Sequence, residues 1–338
     1  GIYPQESPGG WQLLGHIQEN LFEPGRESPS LFSPGDRLRF LPVKKFSPKA
    51  EAIRNSPSWS GQDFCEVLVP GPLTAVQDLG RFNQAHLGVA RGGAADPLAF
   101  AAGNSILGNP RGAAGLEMTF HGATLRFRAD AWISITGADI VVHLDGRPLE
   151  TWSAVNVFAG QVLEMGPCRG IRSYLCVRGG LAAEKVLGSR STFVSGGWGG
   201  LAGRPLKEND ILRTEGLPAV QPAFRGRALL FRRMYAEDVR EIRVMRGPQW
   251  DMFSDKAREI FFSGEYEVTR EANRLGLRLQ GAPLERAAGQ RDTELLSEGI
   301  SNGAVQVPAD GQPMILFCEQ TTTGGYPKIA NVIHADQW

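Results

Sequence analysis

The run from Pro70 to Arg81 (Pro-Gly-Pro-Leu-Thr-Ala-Val-Gln-Asp-Leu-Gly-Arg) carries an unusual density of turn-forming and polar side chains. Asp78 and Arg81 stand close enough to pair, which would leave the Gln77 amide free for a ligand amide. On the residues alone, the favoured reading of the same pair is an ion pair that only fixes a loop. Gly299-Ile300-Ser301-Asn302-Gly303 has the GxSxG spacing of a nucleophile elbow, which needs a strand before it and a helix after it. The strand-like Ala304-Val305-Gln306-Val307-Pro308 follows instead, so a Gly-rich turn is expected. Gly197-Trp198-Gly199-Gly200-Leu201-Ala202 loosely fits a dinucleotide loop, but Gly203-Arg204-Pro205 stops the helix that such a loop requires. No GxxxxGK[ST] loop occurs. The histidines at 16, 86, 121, 143 and 334 are scattered, so no metal site is expected.

Composition narrows the classes. With 36 basic against 36 acidic residues the formal net charge is zero, which argues against nucleic acid and anionic membranes as partners. No apolar run approaches the ~20 residues that span a bilayer. Cys65, Cys168, Cys176 and Cys318 show no CxxC spacing and read as small buried hydrophobes in a cytoplasmic protein. Gly 42 and Pro 22, spread between short β-branched runs, predict many short strands joined by tight turns.

The elements that must position these residues follow. Residues 1–43 predict a strand at Trp11–Gly15, a turn at Ser33–Asp36 and a strand at Leu38–Val43, too little for a core of its own. Residues 44–64 read as a linker, and a new unit starts at Val67. Asp96-Pro97 is an N-cap and first-position proline for a helix that Gly108 ends; a second helix is predicted from about Trp250 to Phe262, stopped by Gly264. Strands are predicted at Ala131–Ile135, Ile140–Leu144, Ser173–Val177, Glu241–Val244, Ala304–Val307 and Met314–Cys318, with hairpin turns at Asp145-Gly146 and Asp310-Gly311. Two echoes, Gly1–Pro4 with Gly324–Pro327 and Ser33–Leu38 with Lys207–Leu212, leave an internal repeat open.

Thr74–Arg81 with Leu87-Gly88-Val89, Gly93–Pro97 and Ala102–Asn109 resembles the opening signature of the family of the 5-oxoprolinase C subunit. That family is also described as allophanate hydrolase subunit 2, or the carboxyltransferase domain of urea carboxylase. Leu116–Thr119, Tyr174–Gly180, Leu187–Thr192, Gly199–Arg204, Ser297–Gly299, Gly303–Pro308, Gly311–Pro313 and Thr322–Lys328 extend the resemblance, in order, through residues 65–338. Residues 1–43, through Gly1–Gln12, resemble the C-terminal part of the 5-oxoprolinase B subunit (allophanate hydrolase subunit 1). The chain thus reads as a piece of a B–C fusion with a truncated C-terminus. Ala75, Gly92 and Ala95 depart from the family's usual Thr, Ser and Met, which touches substrate choice and not fold. The lack of an extra proline between Asp78 and Arg81 places the resemblance on the 5-oxoprolinase side.

The resemblance implies a mainly β protein of cyclophilin-like barrel subdomains with a few short helices, 65–338 dividing near 225–240. It implies an ATP-dependent complex, with A-type and remaining B-type subunits as partners in a homo- or hetero-oligomer, that opens the lactam of 5-oxoproline. In that setting Arg81, Arg190 and Lys328 would stabilise developing negative charge, with Asp78 and Asp96 orienting them. Gln77, Asn104, Gln306 and Tyr326 would position the amide, and Glu117 or Glu298 would act as general base. One alternative is carboxyl transfer from carboxybiotin to urea or a similar amide. The chain has no Met-Lys-Met, so a partner would carry the biotin. Another is a non-catalytic regulator of a kinase.

Overall fold

The computed structural model describes residues 14–15, 17, 19–33, 35–42, 60–216, 241–290 and 293–334. The chain divides into two compact units, Gly1–Ser58 and Trp59–Trp338. In the first, Leu31 N–H donates to Leu21 O (2.8 Å) and Glu23 N–H to Pro29 O (2.9 Å), closing a small loop. The predicted turn is present, with Asp36 N–H on Ser33 O (3.1 Å) and Ser33 N–H on Asp36 Oδ2 (2.8 Å). Lys207 and Asp210 repeat that geometry at 3.2 and 2.7 Å. The echo between the two segments therefore marks one local solution used twice. The strand predicted at Leu38–Val43 does not form over the described residues, which make no ladder there. Most of Trp11–Gly15 lies outside the described residues, as does the expected division near 225–240.

The second unit is mainly β. Its first sheet holds β1 (Gln62–Val69), β2 (Thr74–Gln77), β3 (Gly115–His121), β4 (Thr124–Phe127), β5 (Ala131–Leu144), β6 (Arg147–Pro148), β7 (Val155–Val157), β8 (Val162–Val177), β9 (Leu181–Ala182) and β10 (Ile211–Thr214). It runs β2-β3-β8-β4-β1-β10-β9, with β5 laid along β8, and curls nearly into a barrel. Strand β1 begins inside the stretch read as linker, because Phe64 is fully buried against Phe127. The two strands predicted at 131–144 are one, bent where the register shifts between Gly137 and Asp139. Gly137 (φ 95°) makes that bulge possible: a Cβ there would stand 2.6 Å from Arg172 O. Leu116, Leu125, Ile133, Leu163 and Leu175 fill the interior.

Helix α1 (Pro97–Ile106) packs on this sheet, capped as predicted by the Asp96 carboxylate on Ala99 N–H (2.9 Å) and followed by Gly108 at φ 71°. Gly103 lets it close on β5 and β8, since a Cβ there would lie 2.9 Å from Thr136 Oγ1 and 3.0 Å from Cys176 Sγ.

The second sheet contains β11 (Val244–Arg246), β12 (Glu267–Val268), β13 (Gly276–Gln280), β15 (Ala304–Gln306), β16 (Met314–Leu316) and β18 (Lys328–Val332), in the order β11-β18-β15-β16-β13-β12. A two-stranded ladder of β14 (Glu298–Gly299) and β17 (Thr323–Gly324) lies apart. The second helix, α2 (Asp255–Ser263), starts later than predicted. Phe253 is buried in extended conformation, and Ser254 caps the helix through Ala257 N–H (3.1 Å), which cuts off a single 3-10 turn at Trp250–Met252. The β11 strand likewise starts at Val244 and not at Glu241. Among the described residues no helix is long and apolar enough to cross a membrane.

Candidate functional site

Strand β2 delivers Gln77 to a tight turn, and the turn is held by Asp78. Asp78 Oδ1 accepts from Ser189 Oγ (2.6 Å), Ser191 Oγ (2.6 Å) and Gly80 N–H (2.7 Å), and Oδ2 accepts from Arg190 N–H (2.6 Å). A carboxylate with this many donors is a clamp, joining the 77–81 turn to the 189–191 segment. It does not pair with Arg81. That guanidinium is buried, stacked 4.4 Å over Trp198, and donates through Nη2 to Ser191 O. Its Nε and Nη1 meet no acceptor among the described residues. Burial pulls its pKa down to about 10 even though Asp78, Glu319 and Glu184 raise it. Gln77 donates to Thr192 O (3.2 Å) while its Oε1 has no partner among the described residues.

Glu117, on β3, sits in a second cluster. Its Oε2 accepts from Ala95 N–H (2.7 Å) and Tyr174 OH (3.1 Å), and its Oε1 pairs with Arg274 Nη1 (2.5 Å). Arg274 also pairs with Glu319 Oε1 (2.6 Å) and donates to Gly93 O (2.6 Å). The Tyr174 hydroxyl accepts from Asp96 N–H (2.7 Å); burial, then Glu117 and Asp96, push its pKa well up. Arg274 and Glu319 escaped the sequence reading because their partners lie far away in the chain, Glu117 being 157 residues from Arg274. Asn104 is a loop fastener: its amide N–H groups reach Arg111 O (3.3 Å) and Ala113 O (2.8 Å), and its Oδ1 accepts from Asn109 (2.9 Å). Arg190 pairs with Glu215.

The third cluster sits where β14 and β17 approach β15 and β18. Lys328 Nζ pairs with Glu298 Oε1 (2.6 Å), which also accepts from Gln249 Nε2 (2.5 Å). Those two bonds hold the Glu298 carboxyl below its ordinary value. Gln306 stands opposite Lys328 in the ladder, buried, its Nε2 without an acceptor among the described residues; Tyr326 is half exposed. Ser301 of the GxSxG segment lies in a turn and donates to Asn331 Oδ1 (2.7 Å).

The first two clusters meet along residues 91–97, through Ala94 N–H on Asp78 O (2.8 Å) and the Ala95 and Gly93 contacts to Glu117 and Arg274. Lys328 and Asp78 share no hydrogen-bond partner among the described residues. Gly92 N–H donates to Cys318 O (2.9 Å), and a small cleft opens beside it, lined by Arg91, Gly92, Ala94, Asn302, Cys318 and Gln320 among others. No group of three metal-ligating side chains is found among the described residues.

The family model for the carboxyltransferase domain, subdomain A and B, matches residues 87–338. The chain belongs to this carboxyltransferase-domain family. The model for subdomain C and D of the same domain matches residues 1–32. As a carboxyltransferase-domain chain it is 36% identical over 280 residues to the C subunit of 5-oxoprolinase from Escherichia coli K12, covering 81% of this chain and 86% of that one. Over 45 residues, 13% of this chain and 21% of the relative, it is 53% identical to the B subunit of 5-oxoprolinase from Escherichia coli O157:H7. A crystal structure of TTHA0988 superimposes with a TM-score of 0.84 at 36% identity, over 100% of this chain and 66% of that one. The Kluyveromyces lactis urea amidolyase matches with a TM-score of 0.74 at 30% identity, over 82% of this chain and 18% of that one. Homologues are thus subunits or segments of hydrolase or carboxylase enzymes.

Proposed function

We propose that this chain is the C-type component of an ATP-dependent 5-oxoprolinase and binds 5-oxoproline while its lactam is opened to glutamate. The observation that carries the reading is the similarity to the Escherichia coli C subunit over 86% of that relative's length, with a segment similar to the B subunit preceding it in the same chain. Opening the lactam forms a bond from a water oxygen to the carbonyl carbon and breaks the ring C–N bond; the carbon ends as a carboxylate, and the nitrogen takes up both water protons to end as an ammonium. Negative charge gathers on the carbonyl oxygen, so fixed donors in desolvated surroundings contribute most. Arg81, Gln306 and Lys328 are buried donors of that kind, and Gln306 and Arg81 keep N–H groups that no acceptor takes among the described residues. Asp78, Glu117 and Asn104 act on them indirectly, by holding loops. Only Arg91 is charged among the residues lining the cleft beside Gly92, which does not fit a nucleotide triphosphate. ATP therefore enters no step derived for this chain, and A-type and B-type partners complete the activity.

Carboxyl transfer to urea or a similar amide is the second reading, supported by the urea amidolyase similarity. The test is glutamate release from 5-oxoproline and ATP by the protein reconstituted with A-type and B-type subunits. No release from the full set, with carboxylation of urea on adding a biotinylated partner, would replace the first reading by the second. Lys328→Met should abolish release while the protein stays folded.

A further inference from the structure

We infer that Gln249 is a positioning residue, which sets the Lys328 ammonium and the Glu298 carboxylate in place for the reaction; the inference deepens the function proposed above and rests on it. Gln249 lies just past β11, at the start of the Trp250–Met252 turn, and it meets the Lys328 backbone in both directions. Gln249 N–H donates to Lys328 O (3.3 Å), and Lys328 N–H donates to Gln249 Oε1 (3.1 Å). The other end of the same amide, Nε2, donates to Glu298 Oε1 (2.5 Å), the oxygen that also takes Lys328 Nζ (2.6 Å). A closed circuit results, from the amide to the lysine backbone, out along its side chain to the carboxylate, and back to the amide. Nζ has one further acceptor, Gly299 O at 3.4 Å.

The circuit supplies what the pair lacks. The Lys328 side chain is 7% exposed, but Glu298 is 46% exposed and rides on a two-residue strand that pairs only with β17, apart from the six-stranded sheet. A flexible lysine stem tied to so accessible an acid would swing with it. Gln249 fastens that acid to the turn that buried Trp250 anchors. Its two partners also fix which way the amide points: an N–H needs the oxygen, and a carboxylate needs the NH2. Methionine fills the same volume and does neither job. Glutamate keeps the acceptor for Lys328 N–H but sets a second carboxylate against Glu298. Negative charge grows on the carbonyl oxygen as the lactam opens, and a donor helps to the extent that it already stands in place. Gln249 acts through Lys328 and Glu298.

The experiment is a double-mutant cycle on glutamate release by the protein assembled with its A-type and B-type partners, joined to a carbon NMR titration of Glu298 in the same variants. Gln249→Met should lower kcat about 10- to 100-fold with little change in KM. In a Glu298→Gln background, where the ion pair is already broken, the same change should cost only a small part of that. Lys328 and then Gln249 hold the Glu298 carboxyl down, so in Gln249→Met its titration should move up and yet stay below the ordinary 4.5. Gln249→Glu should carry it above 4.5, because two neighbouring carboxyls then share protons. One proton in that pair restores a donor, so kcat of Gln249→Glu should climb as pH falls through the upper pKa of the pair and be lost above it. A residue that only braced the fold would give no such profile. Native kcat in Gln249→Met, losses that simply multiply in the double variant, or a Glu298 titration that does not move overturns the inference and leaves the proposed function standing. If the complete native assembly releases no glutamate, the proposed function falls. A displaced Glu298 titration and a non-additive cycle on urea carboxylation would then keep the role of Gln249 under the second reading, and an undisplaced titration would remove it.

Discussion

Arg274 ties the two sheets of the larger unit together, and its removal has a size that can be worked out. Its guanidinium contacts Glu117 at 2.5 Å, Glu319 at 2.6 Å and the Gly93 carbonyl at 2.6 Å, with side-chain exposure of 11% against 5% and 6% for the two acids. Burial works against the charge, but Cys318, Glu117 and Glu319 outweigh it and hold the guanidinium well above its ordinary pKa. In Arg274→Met, Glu117 keeps Ala95 N–H, Tyr174 OH and Arg172 at 3.5 Å. Glu319 loses its side-chain partner. Breaking a buried pair from one side costs about 3–5 kcal/mol, because a charge is left without compensation. For a unit of this length that is roughly 10 °C in Tm. Urea unfolding of Arg274→Met, Glu319→Gln and the double variant should show the double variant recovering a good part of the loss, with a coupling above about 1 kcal/mol. Hydrogen exchange at Gly92, Ala94 and Ala95 should quicken in Arg274→Met. A loss under about 1 kcal/mol, or purely additive variants, would refute the claim that this cluster joins the sheets.

Gly103→Ala should cost about 1–3 kcal/mol in urea unfolding, overpacking against Thr136 and Cys176 outweighing the helix propensity of alanine. Lys328→Met should move the Glu298 titration, followed by carbon NMR, up towards the ordinary 4.5. A depressed carboxyl stabilises the fold above its unfolded pKa and loses that contribution as pH falls through the folded value, so the difference between native protein and variant should fade below about 4.5. Alkylation at pH 8 should reach the half-buried Cys168 first, because burial pushes the Cys176 and Cys318 thiols to about 12 and Cys65 higher still.

Local rules made much of the fold legible in advance. The Asp96 cap, the Gly108 and Gly264 stops and the Asp145-Gly146 hairpin all stand where side-chain chemistry and backbone freedom put them. What local pattern missed was set by tertiary context. Gly137 reads as a break between two strands, yet it is the bulge that lets one strand of fourteen residues bend along β8. Trp250 to Phe262 reads in the sequence as one helix, but Phe253 is buried in extended conformation and Ser254 caps a helix that starts only at Asp255. Arg274 and Glu319 carried no signal, since nothing near them in the chain announces a partner on another sheet.

The same distinction sorts the candidate site. Residue type and spacing suggested an Asp78–Arg81 pair, but in the fold Ser189, Ser191, Gly80 and Arg190 satisfy Asp78 without it. An acid with every oxygen engaged cannot also take a proton from a substrate, and Glu117, between Ala95, Tyr174 and Arg274, is in the same position. Glu298 is more accessible, yet Lys328 and Gln249 favour its charged form and so make it a weaker base. The groups left with unmet hydrogen-bonding capacity among the described residues of the site are mostly donors: Arg81 Nε and Nη1, Arg190 Nε and Gln306 Nε2, with Gln77 Oε1 and Gln320 Oε1 as acceptors. Buried groups of that kind are better suited to polarising an amide or a carboxylate than to moving protons. That balance of groups is what this carboxyltransferase-domain chain brings to a family whose other members are subunits or segments of hydrolase and carboxylase enzymes.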